Sequence, residues 1–269
     1  MSVVLDLIAA GAKPMIGMIQ LKPLAGSSRY RGESLASVLE HALMQAALLV
    51  DAGFPVLMVQ NLGDLPVASA ATTNQVAWMT RITDEVRRSS SRPVGLNLLE
   101  NDVEAMFAVA TAAGADFVRI KVYIGAMVTP GGIETGRAFE AIRARTTLGA
   151  DGIAIFADIH DRTGVPLATA GLAEDIRTAV AIGGTDGIVL TGRSQAETRD
   201  MLTIARQAFS KLPILVGGGA TTTNVTEFTK LADGAIVSSA LKAANTPFGE
   251  LDAALARDFM RSVQDFQGR

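Results

Sequence analysis

The chain has 269 residues, 49% of them hydrophobic, and a formal net charge of −3. That supports one large core but neither a nucleic-acid surface nor a polybasic membrane anchor. Cysteine is absent, which excludes disulfides and thiolate metal sites. The start, "MSVVLDLIAAGAKPMIGMIQ", lacks a signal-peptide pattern, and no apolar run reaches the roughly 18 residues of a membrane span. A cytoplasmic protein is expected.

The first β-branched run covers 16–21 and is followed by a long loop, 22–33. A helical pattern over 34–51 (Leu35, Val38, Leu39, Ala42, Ala46, Leu49) stops at Gly53, and a second apolar run follows at 56–61. The same unit then recurs. Runs at 94–98, 117–122, 154–159, 187–191, 214–216 and 235–238 alternate with amphipathic stretches, one of them 101–113, and Gly114, Gly149 and Gly183 act as further stops. Glycine suits a helix C′ position because the left-handed conformation costs it little. Runs apolar on both faces are those of parallel strands covered by helices. Loops 62–72 and 123–132 are also long, a length usually reserved for function. No linker or composition shift divides the chain. Eight strands alternating with helices predict an α/β protein, a (β/α)8 TIM barrel forming a single domain over 1–269. A doubly wound sheet lacks its glycine fingerprint after the first strand.

Active sites of such barrels lie at the C-terminal strand ends. Two of those ends carry small residues: Gly217-Gly218-Gly219 after strand seven, and Ser238-Ser239 after strand eight. Glycine amides and serine hydroxyls at this place read as a phosphate cup built on Gly218, Gly219, Ser238 and Ser239. Gly192, after strand six, is a further candidate, and tight turns are the other use of such residues. The remaining polar strand-end residues are Gln20, Asn61, Asn97, Arg119, Lys121, Asp158, His160 and Lys242, with Gln60, Asp64 and Thr191 beside them.

On strand four Arg119 and Lys121 share one face, which places two cations inside the barrel. Asp158 can neutralise one, leaving a bound anion as the expected partner of the other. Asp158 and His160 alternate with apolar neighbours, so an acid–base pair, a structural ion pair and two metal ligands are all open readings. Lys121 could also act as a Schiff-base amine. His41, on a predicted helix exterior, is the other of two histidines, so no multi-histidine metal site is expected. No tightly held cofactor is expected either, although magnesium can arrive with a substrate. Arg29, Tyr30 and Arg31 in the first loop suit either a substrate cover or a subunit contact.

The stretches "IGMIQLKPLAGSSRY", "VQNLGDLP", "GADFVRIKV", "IFADIH" and "LVGGGATTTNVTEF" fall in an order and spacing that resemble the BtpA/SgcQ family. The resemblance covers about 15–245 and implies the barrel fold. The family's biochemistry is poorly defined: one branch is implicated in biogenesis or stability of photosystem I, and another sits among sugar-transport genes. Where the family pattern has a histidine, this chain has Gln20. Gln60 replaces a glutamate, Lys121 an asparagine, and Asp161-Arg162-Thr163 follow "FADIH" in place of the usual lysine and histidine. The leading expectation is an enzyme of small phosphorylated metabolites, an isomerase, epimerase or C–C lyase acting on a sugar phosphate, with Asp158, His160, Lys121 and Asn97 at the reacting carbon. The alternative is a non-catalytic assembly or stability factor for a membrane complex. The expected partners are a small phosphorylated metabolite and further copies of the chain in a homo-oligomer, without nucleic acid or a membrane span.

Overall fold

In the computed structural model, which describes residues 2–267, the runs read as strands close into one parallel eight-stranded barrel. Its strands are β1 (Met15–Gln20), β2 (Val56–Gln60), β3 (Val94–Asn97), β4 (Phe117–Ile120), β7 (Ala154–Ile159), β9 (Gly187–Leu190), β10 (Ile214–Val216) and β11 (Gly234–Val237). They pair in chain order, and β11 closes on β1. The other three strands form a small antiparallel sheet outside the barrel: β5 (Ala126–Thr129) between β6 (Gly132–Thr135) and β8 (Val165–Pro166). The segment 123–132, expected to be an irregular loop, is therefore mostly a hairpin.

The helices are α1 (Val3–Ala9), α2 (Leu35–Asp51), α3 (Thr73–Ser90), α4 (Val103–Ala113), α5 (Ala138–Thr147), α6 (Leu172–Ala181), α7 (Gln195–Ala208), the single turn α8 (Val225–Phe228) and α9 (Ala253–Gln267). Their starts follow from side chains that accept from otherwise unpaired backbone N–H groups: Ser34 for α2, Thr72 with Gln75 in a reciprocal box for α3, Asp102 for α4 and Ser194 for α7. Gly114 ends α4 in the left-handed conformation with φ +67. After α6 that conformation falls on Gly184, φ +65, rather than on Gly183. Gly183 is small for another reason: a Cβ there would meet the Tyr123 ring at 2.7 Å.

Two apolar layers hold the barrel. The outer one lies between strands and helices. The inner one contains Ile16, Met18, Val56, Met58, Phe117, Phe156, Val189, Leu215 and Ile236. Phe117 and Phe156 meet edge to face at 5.6 Å in its centre, and Gly95 is required because a Cβ would collide with the Phe117 ring. Helix α1 closes the N-terminal end of the barrel: Val4 belongs to the inner layer, and Leu5, Leu7 and Ile8 pack on it. Asp116, before β4, holds the start of this plug by accepting from Ser2 Oγ (2.7 Å) and from the amides of Val3 (2.7 Å) and Val4 (3.0 Å).

Asp116→Ala removes all three bonds. By analogy with lost helix caps it is expected to cost about 1–2 kcal/mol, or roughly 2–8 °C in Tm for a chain of this size. Hydrogen exchange should rise first at residues 3–9. Unchanged protection there would show that α1 is held by its apolar face alone.

Candidate functional site

Side chains two positions apart on a strand point the same way, so the inner apolar layer dictates what lies above it. Met18, Met58, Gly95, Phe117, Phe156, Val189, Leu215 and Ile236 are followed at that interval by Gln20, Gln60, Asn97, Arg119, Asp158, Thr191, Gly217 and Ser238. All eight line one cavity of about 550 Å³ at the C-terminal end of the barrel. The loops above add Lys121, Asp161, Arg162, Arg193, Gly218, Gly219 and Ser239.

Arg119 and Asp158 form a bidentate pair on its floor, Nε to Oδ2 and Nη2 to Oδ1, both at 2.7 Å. The Asp158 side chain is 1% exposed. Burial pushes its carboxyl up to about 6, against the pull of Arg119 and with help from the Asp161 carboxylate. An unfolded aspartate titrates near 3.9, so folding favours the protonated acid. The contribution of this group to stability is therefore complete below about pH 4 and is lost as pH rises through about 6.

Lys121 lies one residue beyond β4 and is not left to a bound anion. It forms an ion pair with Glu100, both side chains being largely buried. The expectation of two interior cations sharing one carboxylate is thereby corrected. Glu100 was missed because it belongs to no strand: it follows β3 by three residues, in the loop that faces the cavity rim. That position, past a strand end, was the available signal.

Three other expected site residues are used differently. His160 sits just past β7 at φ +55, which turns its ring out of the strand alternation. Its Nε2 lies 2.7 Å from Asp175 Oδ2 on α6, and it does not line the 550 Å³ cavity. Asn61 is fully buried and ties loops together, its Oδ1 accepting from the Leu99 amide at 2.8 Å and its Nδ2 donating to Asp64 at 2.9 Å. Asp64 also accepts from the Leu24 amide and from Gln75. Gly192 borders the cavity, but its amide donates to Thr198 Oγ1 at 3.1 Å and a Cβ would lie 2.5 Å from the Thr198 nitrogen. It is a packing glycine against α7.

Lys242 is 3% exposed and lies behind the wall, donating to Gln20 Oε1 and to the Pro247 carbonyl. Burial pushes its ammonium down to about 8. His41 is largely covered, between Gln45 and Glu250, rather than on an open helix exterior. Arg29, Tyr30 and Arg31 do not line the cavity, and Tyr30 packs edge-on to Trp78 at 6.0 Å.

The glycine and serine loops divide into packing and unpaired groups. Gly217 donates its amide to the Leu190 carbonyl at 3.0 Å, and a Cβ there would strike Thr191 Oγ1 and come 3.0 Å from Arg119 Nη2. It is small to make room for the guanidinium. Beyond it, among the described residues, no protein group accepts from the amides of Gly218, Gly219, Ser238 or Ser239. The hydroxyls of Thr191 and Ser238 are buried with no hydrogen-bond partner, a state that is uncommon in native structures and calls for a reason. The Arg162 guanidinium lies over the loop, with Nη2 3.2 Å from where a Gly218 Cβ would stand. The cavity wall holds four cations, Arg119, Lys121, Arg162 and Arg193, against the carboxylates of Asp158 and Asp161. Among the described residues no group of three His, Cys, Asp or Glu is placed to hold a metal ion, and no helix is long and apolar enough to cross a membrane.

The BtpA family model matches residues 11–265. The chain belongs to the BtpA family. An uncharacterised protein of Thermococcus kodakarensis is 35% identical over 258 residues, covering 95% of this chain and 97% of the relative. The Photosystem I biogenesis protein BtpA of Synechocystis is 34% identical over 232 residues, covering 85% of this chain and 80% of the relative. Solved structures share the barrel at low identity. One is a native KDPGal structure, with TM-score 0.58 and 15% identity, covering 95% of this chain and 97% of that one. Another is the N-(5'-phosphoribosyl)anthranilate isomerase from Pyrococcus furiosus, with TM-score 0.56 and 14% identity, covering 94% and 99%. A third, KGPDC from Streptococcus mutans, has TM-score 0.59 and 11% identity, covering 96% and 100%. At these identities the likeness is one of fold.

Lys121→Met strands the Glu100 carboxylate in a buried place and is expected to cost about 3 kcal/mol or more. Adding Glu100→Gln removes the orphaned charge, so the double variant should recover most of the loss. A double variant no more stable than Lys121→Met would show that the pair is not coupled.

Proposed function

We propose that this barrel is an enzyme of small phosphorylated metabolites, with the phosphate held on Gly218, Gly219, Ser238 and Ser239. The observation that carries the reading is the set of unpaired amides and hydroxyls converging on one cavity beside the Arg162 guanidinium. Fixed N–H and O–H donors at close range suit the oxygens of an anion, and a phosphate dianion would supply the missing partners. The three structural neighbours noted above share the architecture, and one of them is named for a phosphoribosyl compound; that supports the reading by analogy of fold.

The reacting carbon would then lie over Asp158, Lys121 and Asn97. Lys121, held by Glu100, offers its remaining N–H donors to a ligand oxygen. Asp158, pushed up to about 6 by burial, has the basicity of a general base working near neutral pH. Moving a proton beside a polarised carbonyl is the opening step of isomerisation, epimerisation and C–C cleavage alike. The rate should rise with pH through about 6 as Asp158 ionises.

A second reading is an assembly or stability factor. It draws on the relative named for photosystem I biogenesis, and on an exposed apolar row across the outer sheet, where Val128 pairs with Ile133 on one side and Val165 on the other.

Inorganic phosphate titrated into the protein, followed by thermal shift and calorimetry, tests the first reading. Saturating phosphate should raise Tm by mass action. Ser238→Ala and Arg162→Gln should each weaken binding about tenfold or more, as expected for a lost hydrogen bond to a charged group. Equal shifts in wild type and both variants would place the anion elsewhere and leave the assembly reading in front.

A further inference from the structure

Beside the unpaired donors of the anion cup, the cavity floor holds two glutamines side by side. Gln20 ends β1, Gln60 ends β2, and the two are register partners, which puts their backbones about 4.8 Å apart. Each has one amide atom engaged and one turned free, and the chemistry of the neighbours fixes which. An ammonium only donates, so Lys242 takes the Gln20 oxygen and leaves Gln20 Nε2 as a donor. On β2 the constraint runs the other way. The Arg119 carbonyl only accepts, so it takes Asn97 Nδ2 at 2.9 Å. The Asn97 oxygen then accepts from Gln60 Nε2, and Gln60 Oε1 is left as an acceptor. Among the described residues neither free atom has a protein partner, and both glutamines line the cavity.

We infer that Gln20 and Gln60 form a specificity pair: Gln20 donates to a carbonyl oxygen of the ligand, and Gln60 accepts from a hydroxyl on the adjacent carbon. The ligand class is a phosphorylated α-hydroxyketone, an open-chain ketose phosphate. The inference rests on the anion reading above for the phosphate, but the pair itself is fixed independently by Lys242 at one end and the Arg119 carbonyl at the other. A buried acceptor facing a ligand carbonyl, or a buried donor facing a hydroxyl hydrogen, is penalised as an unmade bond. An amide orientation locked from behind therefore discriminates more sharply than a free one. Lys242 acts as a positioning residue, since it reaches the ligand only through Gln20, and Asn97 orients Gln60 besides lining the cavity itself. A ligand with its carbonyl reduced would offer Gln20 a tetrahedral hydroxyl oxygen in place of the planar acceptor, and one lacking the C1 hydroxyl would lose the Gln60 bond.

The test is a set of binding titrations on wild type, Gln20→Met and Gln60→Met. Gln60 reads the C1 hydroxyl, the one remote from the phosphate, so xylulose 5-phosphate is compared with 1-deoxyxylulose 5-phosphate, which lacks that hydroxyl and keeps the one on C3, and ribulose 5-phosphate with ribitol 5-phosphate, which lacks the carbonyl. Wild type should prefer xylulose 5-phosphate by about tenfold, the discrimination expected for one lost hydrogen bond, and ribulose 5-phosphate by a smaller but measurable factor, since the alcohol can still accept from Gln20 Nε2 in a poorer geometry. Gln60→Met should abolish only the hydroxyl preference and Gln20→Met only the carbonyl preference. Should a variant fail to fold, the wild-type ratios still decide. Equal affinities in wild type, ratios unmoved in the folded variants, or no binding of any sugar while phosphate binds, would each overturn the pair. Tighter binding of N-acetylglucosamine 6-phosphate than of either ketose would assign the pair to an amide instead. Inorganic phosphate runs in parallel and should bind all three proteins alike. If phosphate fails to bind wild type, the anion reading falls separately, and the pair is judged on unphosphorylated xylulose against 1-deoxyxylulose.

Discussion

The arrangement of the C-terminal end of this barrel depends on one buried ion pair, Arg119 with Asp158. A guanidinium and a carboxylate taken out of water each cost several kcal/mol, recovered only when geometry and hydrogen bonds are close to complete. The bidentate contact meets the first need. The surroundings then follow from the space the pair takes. Gly217 has no side chain because Arg119 Nη2 and Thr191 Oγ1 fill that volume. Asn97 is drawn to the Arg119 carbonyl and in turn sets the orientation of Gln60. The ion pair thus dictates a glycine just past β10, while the Arg119 backbone sets Asn97 on β3 and through it Gln60 on β2.

Charge is distributed with the same economy. Lys121 has Glu100, and Asp161 is engaged by the Thr163 amide at 2.6 Å. What remains unmatched is mostly neutral and donating: four amides, two hydroxyls and the amide nitrogen of Gln20, with Arg162 at the loop. The cavity also has apolar wall from Leu62, Leu65, Leu99 and Phe228, but its unmatched groups are what select a ligand. It suits a small, strongly accepting one, with an anionic end toward β10 and β11 and a carbonyl end toward β1 and β2.

Much of this was legible in the sequence. Period-two alternation on a barrel strand determines both the apolar interior and the polar layer above it, so Gln20, Asn97, Arg119 and Asp158 could be placed from spacing alone. The glycine and serine loops were legible for another reason, their small-residue composition after strands seven and eight. Alternation stops at the last strand residue, and past it the other loop residues followed no pattern. His160 is one residue past β7 and turns away through a left-handed backbone. Glu100 comes from a loop that no period describes. Asn61 and Gly192 sit at strand ends as ligand-binding residues do, but their partners, the Leu99 amide and Thr198, are contacts between loops and helices that only the folded chain brings together. The outer hairpin was hidden because Gly131, Gly132 and Gly136 read as loop composition, although they flank and begin the second of its strands.

The central claim is that the unpaired donors after β10 and β11 form an anion site with the glutamine pair beside it on β1 and β2. A crystal structure with bound xylulose 5-phosphate tests it most directly. The account places phosphate oxygens within hydrogen-bonding reach of the Gly219 amide and Ser238 Oγ, and the ketone oxygen on Gln20 Nε2. A ligand in the reverse orientation, or one bound instead in the 540 Å³ cavity at the opposite end of the barrel, lined by Lys13, Pro55 and Thr229, would contradict it.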